Sequence, residues 1–199
     1  TVNPEPVVAD QTVVVCSDEA LGYTILGDID TPLVSTYNLT SILSGGLVGA
    51  SGNQALASGL LSDALLLDVW TNETPLPVDV VYTLVPIGDN GCEGDPFTVT
   101  ATVNPEPVVA DQTVVVCSDE ALGYTILGDI DTPLVSTYNL TSILSGGLVG
   151  ASGNQALASG LLSDALLLDV WTNETPLPVD VVYTLVPIGD NGCEGDPFT

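Results

Sequence analysis

The chain has 199 residues, none of them Lys, Arg, His or Met, and its 26 acidic residues give a formal net charge of −26. Nucleic acids and anionic membrane surfaces are bound by Lys and Arg that neutralise phosphates and release counterions, so both partners are excluded and cations are favoured instead. At 45% hydrophobic content the chain carries enough apolar material for packed cores, which argues against disorder despite the charge. No apolar run approaches the roughly 18 to 20 residues of a membrane-spanning helix, and no basic-flanked leader is present. Without an initiating Met, the chain reads as mature or excised from something larger.

The sequence from Thr102 repeats that from Thr1 without a change, a period of 101 residues. Solenoid units run roughly 20 to 50 residues and single domains about 100 to 150, so this period is a whole domain. Two domains are expected, residues 1–103 and 104–199. The second copy stops at Thr199, before the Val-Thr-Ala that follows Thr98 in the first. Restoring those three residues would lead back into Thr1, and the expectation is a window from a longer array or one subunit of a head-to-tail fibre.

Within one repeat, residues 6–9 and 12–16 are short β-branched runs parted by Asp10 and Gln11, and they read as an interrupted edge strand. Residues 17–19 form a polar turn. Residues 20–26 are predicted as a strand ended by Gly27 and Asp28, and the alternation over 33–42 predicts a third. Residues 43–62, rich in Gly, Ser and Ala, read as a long irregular connection. Strand character is expected again over 64–71, where Trp70 is assigned to the core because a small sandwich needs a large aromatic inside. Residues 78–87 alternate cleanly, with Val78, Val80, Tyr82 and Leu84 on one face, and are predicted to be the central strand. Asn90-Gly91 predicts a type I′ hairpin turn. In the last strand, residues 97–103, Phe97, Val99, Ala101 and Val103 point inward. About seven short strands without an amphipathic helix define the expected fold: all-β, two tandem immunoglobulin-like antiparallel β-sandwiches.

Each copy has two cysteines. The simplest pairing lies within each repeat, Cys16 with Cys92 and Cys117 with Cys193; buried free thiols are the alternative. Closing such a loop stabilises by about 4 to 5 kcal/mol in the chain-entropy model, and a disulfide implies an oxidising, extracellular compartment. Asn104, Pro105, Glu106 and Pro107 read as a stiff linker, because two prolines fix dihedrals and no glycine loosens them. At about 3.3 Å per strand residue, each domain is expected to add roughly 40 Å to an array.

Catalysis would have to proceed without a His base, a Lys nucleophile or an Arg clamp, and the carboxylates are scattered, so the chain is not expected to be an enzyme. Calcium is the favoured ligand chemistry, since hard cations take six to eight oxygens. Its candidate residues lie in two acid-rich turns per repeat: Asp28 and Asp30 with Asp89, Glu93 and Asp95, and in the second copy Asp129 and Asp131 with Asp190, Glu194 and Asp196. Neither turn has EF-hand spacing, and solvated surface acids are the competing reading. Asn38-Leu39-Thr40 and Asn72-Glu73-Thr74 match the glycosylation triplet, a pattern frequent by chance.

Val15-Cys16-Ser17, the Tyr-Thr-Leu-Val-Pro of 82–86, the Asn-Gly-Cys-Glu-Gly of 90–94 and the Phe-Thr-Val-Thr-Ala-Thr-Val-Asn-Pro-Glu-Pro of 97–107 carry a family likeness. Together they resemble the PKD-like, immunoglobulin-type tandem repeats of giant cell-surface adhesins and gliding-associated proteins of the Bacteroidota. The resemblance implies an extracellular β-sandwich module strung in arrays and brings no catalytic residues. The expected function is a structural repeat of an extracellular filament or adhesin stalk, partnered by copies of itself head to tail. The alternative is a module that binds glycans or surface receptors, calcium-stabilised, through the loop of 43–62. A spacer predicts that Leu47, Val48, Leu56, Leu60 and Leu61 pack inward; a recognition site predicts an exposed aromatic cleft there.

Overall fold

The computed structural model describes residues 1–27, 32–128 and 133–199. The chain forms two compact units, Thr1–Pro105 and Glu106–Thr199, and no helix occurs among the described residues.

In the first unit the strands are β1 (Gln11–Cys16), β2 (Val34–Leu43), β3 (Val48–Gly49), β4 (Ala57–Leu60), β5 (Trp70–Thr71), β6 (Val78–Gly88) and β7 (Phe97–Asn104). Five of them form one sheet in the order β1-β7-β6-β2-β4, and β3 pairs with β5 in a second. Strands β6 and β7 form because they are rich in β-branched and aromatic residues whose large apolar side chains recur at every second position; in β7 the positions between are Thr, and in β6 they are Asp79, Val81, Thr83 and Val85. Val80, Tyr82, Leu84, Phe97, Val99, Ala101 and Val103 all turn inward and are buried. Strand β6 is central, as its alternation predicts. The other layer contributes Leu21, Ile25, Leu47, Leu65 and Trp70 to the same core, and Tyr37 meets Phe97 edge to face at 6.0 Å between centroids.

Four expectations change. The sandwich is not wholly antiparallel: β1 pairs parallel with β7, in register from Gln11 opposite Val99 to Cys16 opposite Asn104. Residues 20–26 form no strand beyond a single bridge from Ala20 to Val69. Gly22 there adopts φ +60°, which breaks the ladder, and isolated bonds such as Leu21 N to Asp68 O (2.8 Å) and Ile25 N to Ser62 O (2.8 Å) hold the segment. Residues 64–69 are not a strand either, because successive turn bonds, Ala64 N to Leu61 O, Leu66 N to Asp63 O and Asp68 N to Leu65 O, coil the chain so that Leu65 is buried while Leu67 is exposed. The hairpin after β6 is not type I′, which requires positive φ at both central residues. Only Gly91 has positive φ, at 78°; Gly91 N bonds Gly88 O and Gly88 N bonds Cys92 O, a three-residue loop whose glycine takes the left-handed position.

The second unit repeats this plan with β8 (Val135–Leu144), β9 (Val149–Gly150), β10 (Ala158–Leu161), β11 (Trp171–Thr172) and β12 (Val182–Gly189). Its sheets are β10-β8-β12 and β11-β9. Residues 112–117, identical in sequence to β1, form no strand here.

Candidate functional sites

The segments before and after the long strands set the candidate positions. Pro6 is fully buried and Asn90 Nδ2 donates to Pro4 O at 2.8 Å, tying residues 4–6 to the hairpin after β6. Gly94 is required there, because a Cβ would strike the Pro6 carbonyl oxygen. Pro107 is likewise fully buried in the second unit, and a Cβ on Gly195 would strike its carbonyl. Asn104 ends β7 opposite Cys16. Of the four expected linker residues, Asn104 and Pro105 belong to the first unit and Glu106 and Pro107 to the second, so none is left over as a separate linker.

The cysteines depart from expectation. Cys92, half-buried, and Cys117, exposed, are free thiols, whereas Cys16 and Cys193 are disulfide-bonded. The expected pairings Cys16 with Cys92 and Cys117 with Cys193 each need one of the free thiols, so neither forms. Geometry explains why. Cys16 lies opposite Asn104, beside the Val78 end of β6, where Val78 pairs with Val103. Cys92 lies at the other end, where Gly88 N bonds its carbonyl. Ten residues of strand separate Val78 from Gly88, roughly 33 Å at about 3.3 Å per residue, whereas a disulfide needs Cα atoms within about 7 Å.

Among the calcium candidates, Asp28, Asp30, Asp129 and Asp131 lie outside the described residues. Asp89, Glu93 and Asp95 are exposed, as are Asp190, Glu194 and Asp196. No three His, Cys, Asp or Glu side chains come together among the described residues. Asp89 N and Asn90 Oδ1 are used within the fold, bonding Leu33 O at 2.9 Å and Cys92 N at 3.0 Å. Of the glycosylation triplets, Asn72 is buried and donates from Nδ2 to Leu76 O at 2.9 Å and Val103 O at 2.8 Å. Asn38 Oδ1 accepts from Gly59 N at 3.1 Å.

One polar constellation was not visible in the sequence. Asp68, 2% exposed, sits under the sandwich with Oδ1 accepting from Gln54 N at 2.6 Å and Oδ2 from the Tyr82 hydroxyl at 2.9 Å. The same hydroxyl oxygen accepts from Trp70 Nε1 at 2.7 Å. Burial pushes the Asp68 carboxyl above its ordinary value against the pull of these two hydrogen bonds, and it pushes the Tyr82 phenol far up as well. Asp169, Tyr183 and Trp171 repeat the arrangement in the second unit. In the first unit the Asp68 carboxylate, the Tyr82 hydroxyl and the Trp70 indole N–H all have partners, so the trio braces the core. Trp70 takes the interior place expected of it.

The loop of 43–62 divides between the two expectations. Leu47 is buried and Leu60 half-buried, while Val48, Leu56 and Leu61 are exposed. Of the first unit's aromatic rings Tyr37, Trp70, Tyr82 and Phe97 are buried, and Tyr23, half-buried, spends its hydroxyl on Gln11 Oε1 at 2.7 Å, so no exposed aromatic cluster is found among the described residues of that unit.

These features define a tandem β-sandwich module whose polar chemistry is spent on its own core. The PKD-like domain family matches residues 13–107 and 114–199, and the chain belongs to that family. Comparison with curated proteins gives no match. Among solved structures, the fibronectin(III)-like modules of Clostridium thermocellum CbhA align over 99% of this chain and 90% of theirs, at 14% identity and a TM-score of 0.32. Domains of the PKD-like kind are typically non-catalytic binding or structural modules and are commonly extracellular. No helix among the described residues is long and apolar enough to cross a membrane.

Proposed function

We propose that the chain is a structural repeat of an extracellular filament or adhesin stalk, acting as a non-catalytic spacer. The observation that carries this reading is the junction: Asn104 closes the last strand of one copy, Pro107 is already buried in the next, and the boundary between the units falls at the Pro105–Glu106 bond with no free linker residue. So short a connection, with one dihedral fixed, restricts the freedom between copies. The uniform negative charge keeps neighbouring arrays apart at low salt. Partners in this reading are further copies arranged head to tail.

Arrays of two, four and eight repeats, imaged by electron microscopy, test it. Contour length is expected to rise by a constant increment per repeat; arrays that collapse into globules of growing diameter would refute the spacer. The second reading, a receptor-binding module, is favoured by the exposure of Val48, Leu56 and Leu61. Against it stands the burial of Tyr37, Trp70, Tyr82 and Phe97, four of the rings on which a glycan would stack.

A further inference from the structure

Among the asparagines of the chain, Asn90 and its twin Asn191 are the ones followed by glycine. Asparagine is a thermolabile residue, and a following glycine makes it most so, because no side chain screens the approach of the glycine nitrogen to the asparagine Cγ. In that reaction the glycine nitrogen gives up its proton and bonds to Cγ, the carboxamide C–N bond breaks and ammonia leaves. Solvent water then opens the resulting succinimide at one carbonyl to give aspartate or at the other to give isoaspartate. Nothing is oxidised or reduced.

The fold holds this pair out of reaction. Asn90 and Gly91 are both exposed, so water and base reach them freely. The carboxamide, however, is pinned at both ends: Nδ2 donates to Pro4 O at 2.8 Å and Oδ1 accepts from Cys92 N at 3.0 Å. The nucleophile is engaged as well, since Gly91 N donates to Gly88 O at 2.9 Å while Gly88 N closes the loop on Cys92 O at 2.9 Å. Attack needs Cγ swung over to a deprotonated Gly91 nitrogen, so the bonds to Pro4 and Gly88 must first be given up. The second unit builds the same loop, with Gly192 N on Gly189 O at 3.0 Å and Cys193 N on Asn191 Oδ1 at 3.1 Å.

We propose that Asn90 is a deamidation site gated by its own clasp on residues 4–6, and that conversion makes release of the clasp permanent. While Nδ2 holds the Pro4 carbonyl, the side chain cannot turn. Once the segment lifts, the reaction is open, and its product cannot restore the contact. Aspartate and isoaspartate both lack the Nδ2 donor and set a carboxylate oxygen against the Pro4 carbonyl oxygen, two acceptors with no proton between them. The new charge joins the exposed carboxylates of Asp89, Glu93 and Asp95, and like charges at short range repel. Isoaspartate also adds a methylene to the main chain inside a three-residue loop. Fully buried Pro6 and Gly94, whose missing Cβ leaves room for the Pro6 carbonyl, belong to the same contact. Deamidation therefore loosens the stretch whose repeat, residues 105–107, leads the chain from one copy into the next. The chemistry does not rest on the stalk reading and is tested apart from it.

The test follows the full chain at mildly alkaline pH, folded in buffer and unfolded in urea. Intact mass with fragmentation in the spectrometer needs no Lys or Arg for digestion and separates Asn90 from Asn191. Conversion at Asn90 is expected to be at least about tenfold slower in the folded chain, because it waits on local opening. Gly94→Ala, which pushes on the Pro6 carbonyl, is expected to narrow that gap at least about threefold in a unit that tryptophan fluorescence shows still folded. Asn90→Asp supplies the product directly and does not depend on the folding of the glycine variant. In it, NMR order parameters at Glu5 and Val7 are expected to fall from the rigid range, about 0.85, to below about 0.6. Equal conversion in the folded and unfolded chains, a folded Gly94→Ala that converts at the parent rate, or unchanged order parameters in Asn90→Asp overturns the proposal.

Discussion

Tyr82→Phe isolates the buried trio in one substitution. The ring still fills its place, but the hydroxyl that donates to Asp68 Oδ2 and accepts from Trp70 Nε1 is gone. Two buried polar groups then lose a partner. Each such loss costs about 1 to 3 kcal/mol, at the upper end for a carboxylate, so the first unit is expected to lose about 3 to 5 kcal/mol of stability. For a domain of this size 1 kcal/mol moves the midpoint by about 4 to 8 °C, and the shift should exceed 12 °C. Tyr23→Phe is the comparison, since it removes a single half-exposed bond to Gln11 Oε1 of 2.7 Å and should cost about 1 kcal/mol. Urea unfolding followed by tryptophan fluorescence, in a Trp171→Phe background so that Trp70 alone reports, measures both. A loss under about 1 kcal/mol for Tyr82→Phe, or one equal to that of Tyr23→Phe, would refute the bracing role.

Further expectations follow from the same geometry. Because burial raises the Asp68 carboxyl in the folded state, the folded unit holds that proton more tightly than the unfolded chain; its contribution is full below the ordinary carboxylate value and is lost as pH rises through the raised one. Asp68→Asn should flatten that part of the slope in urea midpoints across the acid range, and an unchanged slope would contradict the assignment. Gly94→Ala should cost about 2 kcal/mol or more, as the new Cβ displaces the Pro6 carbonyl, and faster amide exchange near residues 4–8 would report it. The combined change Asp89→Asn, Glu93→Gln and Asp95→Asn should leave any calcium response of the melting midpoint intact, since these side chains gather no third ligand; loss of a calcium-specific shift would place a site at that turn.

The long strands were legible because both faces of β6 and β7 are specified: one side must be apolar to reach the core and the other is free to be Thr. The short ones were not. Strands β3 and β5 are two residues each, fixed by contact across the sandwich and not by any local period. Residues 64–69 misled for a different reason, since a run of Leu satisfies a strand or a chain of turns alike until Asp63 and Leu65 are seen to anchor turn bonds. The cysteine pairing failed with the strand direction. An antiparallel β1 would carry Cys16 to the Phe97 end of β7, the end nearer Cys92, whereas the parallel register carries it to Asn104. The Asp68 trio was invisible because its members come together only through the fold, an acid from a turn meeting rings from two strands.

The parallel pairing of β1 and β7 also determines how the first unit answers tension. Pulled from its two ends, β1 is drawn one way and β7 the other along their common axis, so the load falls in shear on all the rungs from Gln11 opposite Val99 to Cys16 opposite Asn104 at once. An antiparallel pair loaded from one end would peel rung by rung at lower force. A domain wired in this way yields only when those rungs break together.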